Sequence, residues 1–252
     1  MEFKDQLGNS FFLQKPPQRI ISLVPSQTEL LIDLGLVDRL VGVTKFCIHP
    51  TYIKKEKAII GGTKNYRFDV IQSLNPDLII GNKEENEKEG IEKLMEDYPV
   101  WMSDIFNLED SLSMIRELGS LLDVKDKAES IASRIAKDFE NPIPFKGTAV
   151  YLIWDNPIMT AGQGTFINVM LKLSGFNNLV QTDRYPQMEM EDIKELNPEY
   201  LLLSSEPFPF KEKHVEIFKS HFPNTQILLV DGEMFSWYGS RLLKSRKYFE
   251  SL

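Results

Sequence analysis

Few of the residue types that do covalent or metal chemistry occur in this chain, and their spacing suits neither. The histidines are His49, His214 and His221, and the single cysteine is Cys47. One cysteine excludes an internal disulfide and any cysteine-paired zinc site, and it reads as a small buried hydrophobe. His214 and His221 stand seven apart on a predicted helix without the neighbouring carboxylates of a zinc motif, so a cap or surface role is expected. His49 lies in a loop between strands, where ligand contact is open to it. No G-x-S-x-G elbow is present, and Ser26 in LVPSQTE, three residues ahead of Glu29, has capping-box spacing. The segment TAGQGTF (160–166) lacks the third glycine of a dinucleotide fingerprint and the Lys-Ser/Thr pair of a phosphate loop. It reads as a turn into a helix with Thr165 near the cap, whose amides could meet an anionic group on a ligand. No catalytic residue and no metal ligand is assigned from these side chains.

Large rings are the more informative group. Trp154 directly follows the apolar run TAVYLI, Tyr185 sits in the polar loop TDRYPQ, and MFSWYGS brings Met234, Phe235, Trp237 and Tyr238 into one turn after LLVDG. In parallel-sheet proteins, residues just past the carboxyl ends of strands face the ligand crevice. Rings at these places can wall a cleft, with core packing as the alternative for any one of them.

The elements that must hold these rings follow from hydrophobic pattern. Runs such as RIISLV (19–24), LVGVT (40–44), AIIGGT (58–63) and DLIIG (77–81) alternate with helical stretches, which predicts a parallel sheet covered on both faces. Gly35 is placed to end the first helix. Apolar spacing predicts two further helices, over 109–122 and 126–139, separated by Asp123-Val124-Lys125. The pattern then restarts with TAVYLIW (148–154), YLLLS (200–204) and QILLVD (226–231), and a last helix begins near Gly239. The organisation expected is an N-terminal extension (1–18), an N-terminal α/β lobe (19–107), a helical connector (108–141), and a C-terminal α/β lobe (142–252).

A repeat links the lobes. DVIQSLNPDLIIGNKE (69–84) and EDIKELNPEYLLLSSE (191–206) align without a gap, so that Leu74-Asn75-Pro76 matches Leu196-Asn197-Pro198, Asp77 matches Glu199, and Glu84 matches Glu206. Each proline disfavours helical geometry in the residue before it and so predicts a helix stop ahead of a strand. The match also puts one glutamate in an equivalent loop of each lobe.

Length and charge exclude several classes. At 252 residues the chain is long enough for one large or two small domains, and 42% hydrophobic with 26% charged residues excludes a disordered or fibrous chain. The formal net charge of -8 repels nucleic acid and anionic membrane, with no Lys/Arg cluster expected to override it locally. No apolar stretch approaches membrane-spanning length. The opening MEFKDQLGNSFFLQ is acidic from position 2 and has no long apolar run, so it reads as neither a signal peptide nor a lipoprotein signal.

Taken together, RIISLVPSQTELLIDLG, VGVT, IGGTKN, LNPDLIIGNKEEN, YLIW, GTFINVMLKLSGFNNL, LNPEYLLLSSEPFPF and DGEMFSWYG resemble the substrate-binding proteins of metal-chelate ABC importers, nearest the cobalamin-binding and iron-siderophore-binding branch. The likeness runs from about residue 18 to the C-terminus. It implies an α/β fold of two similar lobes with mainly parallel central sheets, bridged by one long rigid helix, here 126–139. It implies a ligand held between the lobes near Ser26, Phe46, Tyr66, Trp154, Tyr185, Trp237 and Tyr238. It also implies docking to an ABC permease dimer through a glutamate of each lobe, at Glu84 with neighbouring Glu85 and at Glu206.

The resemblance implies no intrinsic cofactor and a bound corrinoid such as cobalamin, with a ferric siderophore or haem as alternatives. Arg67, Arg184 and Arg241 are loosely placed candidates for an anionic chelate, and Tyr66, Tyr185 or Tyr238 for iron ligation. The protein is expected to be a monomer that binds without turnover, periplasmic or on the cell surface if a leader is missing from the chain, with a cytoplasmic location left open. An enzyme on a similar scaffold, using Ser26, His49 and Asp231 or Glu233, is the reading from another class.

Overall fold

The computed structural model describes residues 1–252 and divides into two compact units. The first comprises Met1–Ile105, Glu109–Ala136 and Tyr238–Arg241, and the second comprises Phe106–Leu108, Lys137–Trp237 and Leu242–Leu252. The division departs from the expected boundaries. The N-terminal extension and residues 109–136 of the connector are counted with the first unit, as is a four-residue segment from near the C-terminus, while 106–108 and 137–141 fall in the second.

The first unit opens with a hairpin of β1 (Glu2–Lys4) and β2 (Ser10–Phe12). Its turn is closed by the buried Asp5, whose carboxylate accepts the backbone N–H groups of Leu7 and Asn9 at 3.0 and 2.7 Å. There follow β3 (Ile20–Ser22), α1 (Pro25–Asp33), β4 (Leu40–Val43), α2 (Ile53–Glu56), β5 (Ala58–Ile59), α3 (Phe68–Leu74), β6 (Leu78–Asn82), α4 (Lys88–Met95) and β7 (Val100–Ser103). The five later strands form one parallel sheet in the order β5-β4-β3-β6-β7. β3, β6 and β7 are buried along their whole length, as continuous apolar runs covered on both faces require. The hairpin protects the β7 edge: Gln6 N–H donates to Met102 O at 3.1 Å, and Met102 N–H donates to Asp5 Oδ2 at 3.3 Å.

Two helices lie mostly in this unit, α5 (Leu108–Leu121) and α6 (Lys125–Asp138), separated by a left-handed Asp123 (φ 59°). They approach closely at Gly119, where a Cβ would stand 2.2 Å from the Ala128 Cβ. Arg116 makes a two-pronged pair with Glu129 at 2.8 and 3.2 Å. The helix expected over 126–139 is α6, about 21 Å long at 1.5 Å per residue.

The second unit contains β8 (Gly147–Trp154), β9 (Met159–Thr160), α7 (Phe166–Leu173), β10 (Phe176–Asn178), α8 (Met190–Leu196), β11 (Tyr200–Ser204), α9 (Glu212–His221), β12 (Gln226–Val230), α10 (Glu233–Ser236) and α11 (Leu242–Glu250). Its parallel strands run β10-β8-β11-β12, and β9 pairs antiparallel with β8. The mixed α/β fold with mainly parallel sheets is as the sequence pattern predicts.

The repeat has a shared physical basis. Asn75 (φ 44°) and Asn197 (φ 47°) are both left-handed caps, ending α3 and α8. Both residues have left right-handed helical geometry ahead of their prolines, as the Asn-Pro steps predict, and asparagine tolerates the left-handed backbone they adopt. The acid after each proline then anchors the adjacent strand. Asp77 accepts the N–H groups of Gln18 and Arg19 at 2.8 and 2.7 Å, just ahead of β3, and Glu199 accepts Thr148 N–H at 2.7 Å at the start of β8.

The expected capping box at α1 is absent. Val24 is the N-cap without a side-chain bond, and Pro25 takes the first helical position, which suits its missing N–H. Ser26 lies inside the helix, and Glu29 is engaged elsewhere. Gly35 (φ 81°) ends the helix as expected.

Candidate functional site

In each unit several of the rings and polar groups singled out by sequence follow the carboxyl ends of sheet strands. In the second unit, Trp154 closes β8 and stays 39% exposed, its indole N–H donating to Asn156 O at 3.2 Å. Its ring meets Phe208 edge-on at 5.6 Å, and Phe208 in turn meets Phe210 at 4.8 Å and His214 at 5.3 Å. An exposed indole is thus backed by a stack reaching into the core cluster of Phe210, Val215 and Phe218. Sequence reasoning passed over Phe208. The alternation P-F-P-F directly after a strand was the available signal. Tyr185 is half-buried beside Arg184, whose guanidinium lies 5.6 Å from the ring and donates to Gly164 O at 3.0 Å.

In the first unit, Phe46 is 49% exposed in the loop after β4, with the Lys45 ammonium 5.0 Å from its ring centre. Tyr66 is half-buried over Gly90, where any Cβ would strike its ring at 2.5 Å, and its hydroxyl donates to Thr63 O at 2.7 Å. Burial, with Glu87 adding to it, pushes the Tyr66 hydroxyl up to about 12.

Three residues expected as ligand contacts are placed differently. Ser26, Trp237 and Tyr238 are 3%, 7% and 5% exposed, so neither buried ring offers a face as a platform. Trp237 serves the second unit internally: its indole N–H donates to Glu206 Oε1 at 2.9 Å. Tyr238 belongs to the first unit, and burial raises its hydroxyl well above the usual range, reinforced by Glu85 and Glu84 and opposed by the Ser26 and Ser103 hydroxyls. Below it lies a buried polar knot in which Gln27 Nε2 donates to Ser103 Oγ at 2.8 Å and to Gly81 O at 3.1 Å.

The glutamates matched by the repeat also diverge. Glu84 is exposed in the turn after β6, where its N–H and that of half-buried Glu85 donate to Asn82 Oδ1 at 2.9 and 3.1 Å. Glu206 is half-buried, and its carboxylate accepts Ser236 Oγ–H at 2.5 Å as well as the Trp237 indole. Burial raises its pKa above the usual carboxylate range, and the nearby Glu233 and Asp231 charges add to the rise against the two hydrogen bonds.

The remaining candidates are accounted for structurally. Arg67 lies 3.8 Å from Asp69, and Arg241 pairs with Glu29. His214 is a cap: its Nδ1 accepts Lys211 N–H at 2.8 Å, while His221 ends α9 exposed to solvent. Thr165 caps α7 by accepting Asn168 N–H at 3.1 Å, as TAGQGTF suggested. Cys47 is buried, and its Sγ contacts the Thr28 and Thr44 hydroxyls at 3.1 and 3.3 Å. No group of three or more His, Cys, Asp or Glu side chains is arranged to hold a metal ion.

Paired parallel-sheet units with rings and a few polar groups beyond their strand ends define a small-molecule binding protein. The chain belongs to the family described as periplasmic binding protein, which it matches over residues 20–223. It is 29% identical over 224 residues to an ABC transporter substrate-binding lipoprotein, YvrC, of Bacillus subtilis, covering 79% of this chain and 67% of that one. It is 25% identical over 241 residues to the vitamin B12-binding protein of Pectobacterium carotovorum, covering 90% and 85%. A crystal structure of a possible iron-binding, periplasmic solute-binding protein from Staphylococcus epidermidis shares the fold at a TM-score of 0.79 and 24% identity, covering 94% of this chain and 98% of that one. The family is one of binding and transport proteins, so the enzymatic alternative built on Ser26, His49 and Asp231 or Glu233 is set aside. No helix is long and apolar enough to cross a membrane.

Proposed function

We propose that this protein captures a corrinoid of the cobalamin type outside the cytoplasmic membrane and delivers it to an ABC permease dimer. The observation that carries this reading is the exposed Trp154 indole packed edge-on against Phe208 at the end of β8. A broad macrocycle can be bound by ring faces and a few polar contacts, without any protein ligand to its metal. Burying several hundred Å² of apolar surface at roughly 25 cal/mol per Å² supplies a large favourable term before ordering costs. Phe46 and Tyr66 are the rings offered by the first unit, and Tyr185 adds a second ring in the other.

A ferric siderophore is the second reading, favoured by the Lys45 ammonium beside the exposed Phe46 ring, which suits an anionic chelate. The chain acts as a monomer in this account, and Glu84 with Glu85 forms the permease-docking charge of the first unit.

Absorbance and calorimetric titration with cyanocobalamin, haemin and a ferric siderophore tests the assignment. One-to-one binding of cyanocobalamin without turnover is expected. Binding of haemin alone, or of none of the three, would overturn it.

A further inference from the structure

The charge of the first unit is not evenly spread, contrary to the sequence expectation that no basic cluster stands out. Between residues 45 and 67 there are six Lys or Arg residues and one acid, Glu56, in a chain whose formal net charge is -8. Five of these, Lys45, Lys54, Lys55, Lys57 and Lys64, have no carboxylate partner. Within the same stretch Phe46, Ile48 and Tyr52 are 49%, 42% and 43% exposed.

The exposure is built in rather than a sign of a loose loop. Cys47 and Ile53 are fully buried and pin the backbone on either side of the exposed side chains. Cys47 N–H donates to Thr44 O at 3.1 Å, Lys57 N–H to Ile53 O at 3.0 Å, and the Lys54 ammonium to Lys45 O at 3.4 Å. Residues 46 and 48 therefore point outward while 47 points inward, and 52 points outward beside the buried 53.

We propose that the loop and short helix spanning residues 48–57 form a contact surface for an anionic lipid bilayer, leaving Lys45 and Phe46 to the proposed ligand site. Two apolar side chains, Ile48 and Tyr52, standing singly among lysines offer no groove for a peptide. Lysine also lacks the rigid fork that arginine uses for geometric recognition of one anion. A fluid interface demands neither, and it rewards apolar side chains in the headgroup region together with diffuse positive charge. Acidic groups limit the strength of the contact: Glu56 lies on α2, Glu85 acts on Cys47 and Glu87 on Tyr66. The attraction is therefore centred on Lys54, Lys55 and Lys57 rather than on the Lys64 turn.

The test is co-sedimentation of the full chain with vesicles of phosphatidylcholine containing about 30% phosphatidylglycerol, a typical anionic fraction, against phosphatidylcholine alone. Partitioning onto the anionic vesicles is expected to be about tenfold stronger at low salt and to disappear near ~0.5 M salt, where screening is short-ranged. Lys54→Glu with Lys55→Glu is expected to abolish the lipid preference, and Ile48→Ser with Tyr52→Ser to weaken binding while leaving its salt dependence. All four positions are exposed, so unfolding temperatures should match the parent chain. Equal partitioning onto both vesicles, or charge-reversed protein that partitions like the parent, would overturn the proposal. Capture by polyglutamate without vesicle binding would also overturn it and assign the patch to an acidic protein.

Discussion

Arg241 and Glu29 form a two-pronged ion pair, with Nε and Nη2 donating to the carboxylate at 2.8 and 2.9 Å across 212 residues of sequence. Both side chains are buried, at 6% and 8% exposure. The pair fastens the returning segment Tyr238–Arg241 to α1, with Gly239 N–H donating to Ser111 Oγ at 3.3 Å nearby. Removing one partner strands a buried charge, so Glu29→Gln or Arg241→Met is expected to cost about 3–5 kcal/mol. The double variant Glu29→Leu with Arg241→Met should recover much of that loss. Urea unfolding measures both, and a loss below about 1 kcal/mol for each single variant would show that the pair does not hold the segment.

Glu206 predicts a pH dependence of stability. Its pKa is raised in the folded state, so the folded chain holds a proton to higher pH than the unfolded chain. Its contribution is therefore present at low pH and is lost as pH rises from about 4.5 through the folded value. Glu206→Gln keeps two acceptor sites and removes the charge. Melting temperatures followed from pH 4 to pH 7 should show the parent losing ground to the variant as pH rises, whereas parallel curves would contradict the assignment.

The two asparagine caps predict a matched pair of effects. Asn75→Ala and Asn197→Ala each force alanine into a left-handed backbone and should destabilise by about 1 kcal/mol, while glycine at either position should cost little or stabilise. Chemical denaturation of the four variants checks this. Unequal losses would mean that the repeat preserves sequence without preserving its mechanical role.

How much of this was legible depended on distance along the chain. The strand runs, the L-N-P repeat and the Thr165 cap are written in neighbouring residues and were readable. The Glu29–Arg241 pair was not: its members are far apart in sequence, and Glu29 also fitted a local capping motif that proved empty. Trp237 and Tyr238 looked like cleft walls because a loop position says nothing about how deeply a ring is covered, and the structure buries both. Glu84 and Glu206 matched in register, yet the Trp237 indole and Ser236 hydroxyl that engage Glu206 come from a segment outside the repeat. The basic stretch after β4 was hidden by the negative total, which averages over the whole chain.

For docking, the structural difference between the two glutamates predicts unequal roles. Glu84→Lys should reduce permease-dependent uptake while leaving ligand affinity unchanged, because an exposed rim charge acts mainly on association. Glu206→Lys should lower stability first, since it breaks two internal hydrogen bonds. Uptake by the Glu84 variant equal to the parent would remove Glu84 from the docking surface.

The ligand platform is tested most directly by titrating cyanocobalamin into the parent chain and into Trp154→Ala. The account predicts one-to-one binding by the parent and at least about tenfold weaker binding by the folded variant, equivalent to about 1.4 kcal/mol. Equal affinity of the two proteins, or no binding by the parent, would contradict it.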